Sequence, residues 1–154
     1  MGNAAGTLGV VINEASATAG GVLSGVVYVM VNSAINAEYL MVTVDGEEYA
    51  LVAWKHTTGT GDNRKTVTKR RRYRRSLLRM DAGLADFSAT GGKLAPGRYE
   101  FPFTLRLPGG LPSSMSSHGP HGSKCRITYS ISARLGRPGS FTSDFRTARQ
   151  VIVS

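Results

Sequence analysis

Cysteine is nearly absent from the 154-residue chain: Cys125 stands alone, so no intrachain disulfide closes and the small secreted scaffolds are excluded. No basic N-terminal stretch is coupled to a long apolar one, as a secretory leader requires, and the chain reads as cytoplasmic. Long hydrophobic runs are missing too. Ser24, Gly25 and Asn32 interrupt the longest apolar stretch, well short of the roughly 18 residues of a membrane-spanning helix. The three histidines, His56, His118 and His121, fall in or near turn-rich segments, and the ten carboxylates show no paired spacing. An acid-base dyad therefore has no candidates, and no enzymatic activity, small-molecule substrate or cofactor is expected. His118 and His121 lie on a loop with no carboxylate nearby and fall short of a four-ligand metal site. Gly91-Gly92-Lys93 lacks the remainder of a phosphate loop.

What the chain does hold suits strands. Nineteen glycines and six prolines are many for a helical protein, and six Tyr and five Phe accompany abundant Val and Thr. Composition points to an all-β fold, in a single domain large enough to bury a core.

The charge is uneven. From Arg64 to Arg79 lie nine basic residues and no acidic one, whereas the rest of the chain holds ten of each sign. The formal net charge of +9 thus comes from one segment on a neutral body. Such a patch suggests a local contact with phosphates or acidic groups rather than a general affinity for polyanions.

Alternation locates the elements. Leu8 to Ile12 forms a first strand behind a flexible start at residues 1–7, and Leu23, Val27, Val29 and Val31 mark a second strand with one buried face. Leu40, Val42 and Val44 lead to Asp45-Gly46, a strong hairpin signal, with Tyr49 to Trp54 as the returning strand. The basic run at 64–79 mixes Val67, Tyr73 and Leu77 with charge on the same parity; neither face is dry, and it reads as an edge strand or an extended insertion. Leu77, Met80, Leu84 and Phe87 recur at three- and four-residue spacing, which predicts a short helical stretch. Tyr99 to Leu107 alternates strictly, and Pro102 confines that strand to an edge or to the unpaired side of the ladder. Cys125, Ile127, Tyr129, Ile131, Ala133 and Leu135 share one parity, so Cys125 is expected as a small core residue. A final strand or pair runs from Phe141 through Val153. Seven or more short strands joined by polar turns predict an antiparallel β-sandwich.

The segment Leu94-Ala95-Pro96-Gly97-Arg98-Tyr99-Glu100-Phe101-Pro102-Phe103-Thr104-Leu105-Arg106-Leu107-Pro108, followed by Leu111-Pro112-Ser113-Ser114-Met115, resembles the proline-glycine and Phe-Pro-Phe signature of arrestin N-terminal domains, most of all α-arrestins. Gly21 to Tyr28, Asp45-Gly46 with Trp54, and Cys125 to Ala133 resemble three further family segments in the family's order. The resemblance spans residues 8–154. It implies an immunoglobulin-like lobe of a non-enzymatic cytoplasmic adaptor, which binds the cytoplasmic tails of membrane proteins and directs endocytosis or sorting. A retromer-type sorting subunit shares that fold and is the alternative within the class. Two family features do not carry over: Leu8 to Ile12 lacks the basic residues with which receptor-binding arrestins sense phosphate, and the chain has no ligase-recruiting Pro-Pro-x-Tyr motif.

Lys69, Arg70, Arg71, Arg72, Arg74 and Arg75 are the candidate site, for anionic lipid headgroups or phosphorylated tails, since guanidinium forks suit phosphate. A nucleic-acid-binding module is the alternative of another class. It is disfavoured because aromatic interleaving within the run is limited to Tyr73, and single-strand binding needs stacking platforms. Gly2 is a candidate for myristoylation, with Gly6 where the usual pattern has Ser or Thr. Together with the basic patch it would supply the two signals that stable peripheral anchoring at the plasma membrane or endosomes requires.

Overall fold

The computed structural model describes residues 5–139 and 144–154. Gly2 lies outside them, as does the start of the expected terminal pair at Phe141. Ten strands occur among the described residues: β1 (Gly6–Ile12), β2 (Val22–Val31), β3 (Ile35–Asn36), β4 (Tyr39–Thr58), β5 (Lys65–Asp86), β6 (Lys93–Leu94), β7 (Gly97–Arg106), β8 (Met115–His118), β9 (Lys124–Gly136) and β10 (Phe145–Val151). β1 begins at Gly6, so Gly6 and Thr7 belong to the sheet rather than to a flexible start.

Two antiparallel sheets face each other, one ordered β1-β2-β7 and the other β10-β9-β4-β5. β8 continues the line of β10 along the same margin of β9, and β3 pairs with β6. The apolar parities of both sheets meet in one core, with Leu23, Val27, Val29 and Phe103 on one side and Leu40, Val42, Val44, Tyr129, Ile131 and Leu135 on the other. Phe101 packs edge-on against Phe87, their centroids 6.0 Å apart. Pro102 lies on β7, an outer strand whose one partner among the described residues is β2, where a missing N–H breaks no second ladder.

Two expectations fail in the same region. Asp45-Gly46 is not a hairpin turn: β4 runs straight through it for twenty residues. Glycine is required there by packing, because a Cβ at Gly46 would sit 2.6 Å from the Tyr129 ring, whose hydroxyl donates to the Pro112 carbonyl at 2.6 Å. The real reversal follows Thr58, where Gly59 and Gly61 take positive φ and residues Gly61–Asn63 form a single 3-10 turn. The helical stretch at Leu77 to Phe87 is likewise absent, since these residues continue β5 up to Asp86. The β4–β5 register shifts between Leu40 and Met41 and between Gly46 and Glu47, leaving Leu84 and Leu77 as the extra residues. Each such bulge adds one residue to a period of two, and two of them produce the three- and four-residue spacing that imitates a helix.

Candidate basic arm

β4 and β5 are longer than the sandwich they belong to. β9 pairs with β4 only as far as Leu51, opposite Lys124, and beyond it β4 and β5 continue as a two-stranded arm to the ladder's last pair, Thr58 opposite Lys65. The basic run lies on this arm and on the strand leading to it, so of the two readings of residues 64–79 the edge strand is the correct one. Among the described residues nothing pairs with the outer edge of β5.

Register assigns every arm residue to a face, because directly opposed residues share one. On one face stand Ala50 with Tyr73, Val52 with Arg71, Trp54 with Lys69, and His56 with Val67. On the other stand Tyr49 with Arg74, Leu51 with Arg72, and Ala53 with Arg70. Along β4 the second face is covered as far as Ala53. Tyr49, Leu51 and Ala53 are buried, and the 3-10 turn Pro120–Gly122 touches β4 there. The Ser123 hydroxyl clips that turn on by accepting from the Ala53 N–H at 2.8 Å and donating to the Ala53 carbonyl at 3.1 Å. Three cations surround the Tyr49 ring, with Arg126 at 4.6 Å, Arg74 at 4.7 Å and Lys124 at 5.8 Å from its centroid.

The first face is bare. Val52, Trp54, Val67 and Tyr73 are 46%, 41%, 49% and 50% exposed, and they interleave with Lys69 and Arg71, the latter 5.5 Å from the Tyr73 ring. Toward the sandwich this face passes into a shallow hollow of about 490 Å³, lined by Glu48, Ala50, Tyr73, Arg74, Arg75 and Cys125. Cys125 is thus half-buried on the hollow's wall rather than a core residue. β9 keeps its inward parity here but has passed beyond the opposing sheet, so the thiol meets no second layer.

The six candidate cations divide by their partners. Arg74 is tied to Glu47 at 2.6 Å and Arg75 to Glu48 at 3.4 Å, and nearer the sandwich Arg79 meets Asp45 at 3.4 Å. Lys69, Arg70, Arg71 and Arg72 have no carboxylate partner among the described residues. Four adjacent charges are therefore available to an outside anion, and two are partly spent internally. Trp54 and Val52 escaped the sequence reading, which placed β4's reversal at Gly46. Their alternation with His56 carries the signal, and it becomes legible once the turn is set at Gly59.

Among the described residues no three His, Cys, Asp or Glu side chains gather to hold a metal ion. No helix there is long and apolar enough to cross a membrane.

Comparison with known proteins gives the fold a family. The structure of the sporulation control protein Spo0M from Bacillus subtilis superposes with a TM-score of 0.60 at 14% identity, over 98% of this chain and 50% of that one. The chain thus spans about half the length of that neighbour, and a likeness at this identity concerns fold alone. A search of curated proteins finds no match. Residues 12–154 match the family model described as arrestin (or S-antigen), N-terminal domain, and with the two-sheet sandwich and the Phe-Pro-Phe strand β7 in place, the chain belongs to the arrestin family.

Proposed function

We propose that this domain is the lobe of a non-enzymatic adaptor that engages cytoplasmic tails of membrane proteins in endocytic or sorting traffic. In this reading the β4–β5 arm meets the phosphates of anionic lipid headgroups or of phosphorylated tails. The arrestin fold supports a general adaptor or regulatory role; cargo and pathway are the proposal. The observation that carries it is the row Lys69, Arg70, Arg71 and Arg72 on an exposed edge strand, with no carboxylate partner among the described residues. Four cations at successive positions of one ladder, two on each face, repel one another, a cost that an external anion relieves. The domain's place is then the cytoplasmic side of a membrane. Gly2, if acylated, would add a second anchor to the same surface.

The test replaces Arg70, Arg71, Arg72, Arg74 and Arg75 with Gln. None is buried, so the far-UV spectrum is expected to stay that of a β protein, while sedimentation with anionic vesicles and retention by phosphorylated tail peptides are both lost. Undiminished binding in both assays by the folded variant overturns the reading.

A further inference from the structure

The bare face of the arm asks for more than a counter-ion. A patch evolved only to attract phosphate needs no Val52, Trp54, Val67 and Tyr73 left between 41% and 50% exposed on one face. We propose that this face lies on an anionic bilayer, with Val52, Trp54 and Val67 entering the headgroup and acyl boundary while Lys69 and Arg71 hold lipid phosphates. The inference rests on the reading of the arm as an anion-binding element, and it commits that element to a lipid surface.

Geometry favours a membrane over the other polyanions. The opposite face carries the Pro120–Gly122 turn and the Ser123 clip, and its open positions from the Ala53 row outward are Lys55, Thr57, Thr66, Thr68 and Arg70, so the arm's exposed apolar groups all stand on one flat side, which suits a plane. Across the ladder Lys69 stands opposite Trp54 and Arg71 opposite Val52, so these two apolar groups each have a cation beside them whose aliphatic stem lies along apolar surface while its head reaches the phosphates. Indole and phenol rings prefer this same boundary, wet at one end and apolar at the other. A single-stranded nucleic acid calls for successive rings as platforms. Here Trp54 and Tyr73 are separated by the Val52–Arg71 row, which places them roughly 13 Å apart along the ladder, with aliphatic side chains between. A phosphorylated peptide uses the cations and has no use for Val52 and Val67. The stretch from Ala50 to Thr58 reaches roughly 27 Å along the surface, enough to lay the arm in the plane of the bilayer.

Trp54 is the chain's one tryptophan, so its emission reports on this face alone. The full chain is mixed with phosphatidylcholine vesicles in which about a third of the lipid is phosphatidylserine, and with phosphatidylcholine vesicles as the control. The expected result is a blue shift of Trp54 emission, and quenching by lipids brominated on their acyl chains, with the anionic vesicles only. Val52→Ser with Val67→Ser keeps both the cations and the reporter, and is expected to weaken sedimentation on the order of tenfold with an unchanged far-UV spectrum. Should that variant fail to fold, bromine quenching of the natural protein still decides. Sedimentation without a shift or quenching overturns insertion and leaves electrostatic anion binding standing. No response to vesicles, with retention by a phosphorylated peptide or an oligonucleotide, overturns the lipid assignment.

Discussion

Phe103 is 4% exposed and reaches from β7 into the space between the sheets. Truncation there deletes a ring that neither sheet can move to replace, and Phe103→Ala is expected to cost about 3–5 kcal/mol in denaturant unfolding, enough to unfold a marginal domain. Asp144 ties β10 to the end of β9 by a different means. It accepts from the Arg134 Nε at 2.6 Å and from the Arg137 backbone N–H at 2.9 Å. Burial pushes its carboxyl up, but the Arg137 N–H and the Arg134 guanidinium outweigh burial and hold it below the ordinary carboxylate range. A carboxyl depressed in the folded state stabilises fully above its unfolded pKa, and that contribution is lost as pH falls through the folded value. Asp144→Asn is therefore expected to cost about 1–2 kcal/mol at neutral pH, discounted because Arg134 is half in solvent. The gap between variant and natural protein should close in acid. A gap that persists or widens as pH falls contradicts the assignment.

At the scale of elements, the arm presents the longest free edge among the described residues, the outer margin of β5. Unpaired edges recruit other strands, and lysine or arginine on the edge is a common defence, since a second copy brings the same charge. Replacing Lys69, Arg70, Arg71 and Arg72 by Thr keeps strand propensity and removes the repulsion. That variant is expected to self-associate with rising concentration in light scattering at low salt, while the natural chain does not; equal scattering would show that the twist of the arm, not its charge, protects the edge. The same arm shows where pattern reading stops. β2, β7 and β9 were legible because each pairs in straight register with one parity inward, so a period of two survives from sequence to structure. β5 was not, because the extra residues Leu77 and Leu84 break the period. Gly46 carried a turn signal for a reason no local pattern contains, the approach of the Tyr129 ring from 83 residues along the chain. Parity gave the correct face for Cys125 but not its burial, which depends on where the opposing sheet ends. For the site, the charge run was plain, whereas Trp54 and Val52 joined it only through a ladder fixed by the turn after Thr58.

For the whole molecule, position matters more than total charge. The run from Arg64 to Arg79 holds nine basic residues while the remainder of the chain is balanced at ten and ten, so the neutral sandwich carries a cationic arm at one end. At physiological ionic strength fields fade over about 8 Å, which leaves cations on the far sheet unable to help an arm that touches a surface. Two triple variants with the same change in net charge separate these cases. Lys65, Lys69 and Arg71 to Gln removes three charges from the bare face of the arm; Lys93, Arg98 and Arg106 to Gln removes three from β6 and β7, outside the sheet that bears the arm. With about 1 kcal/mol for each cation near an anionic surface, the arm variant is expected to lose on the order of a hundredfold in vesicle affinity and to show a flatter dependence on salt. The second variant should stay within a few-fold of the natural protein, because screening has already removed its charges from the contact. Equal losses in the two variants would mean that the membrane responds to net charge alone. The arm would then have no privileged orientation, and the placement of Trp54 and Val52 beside Lys69 and Arg71 would be without consequence for binding.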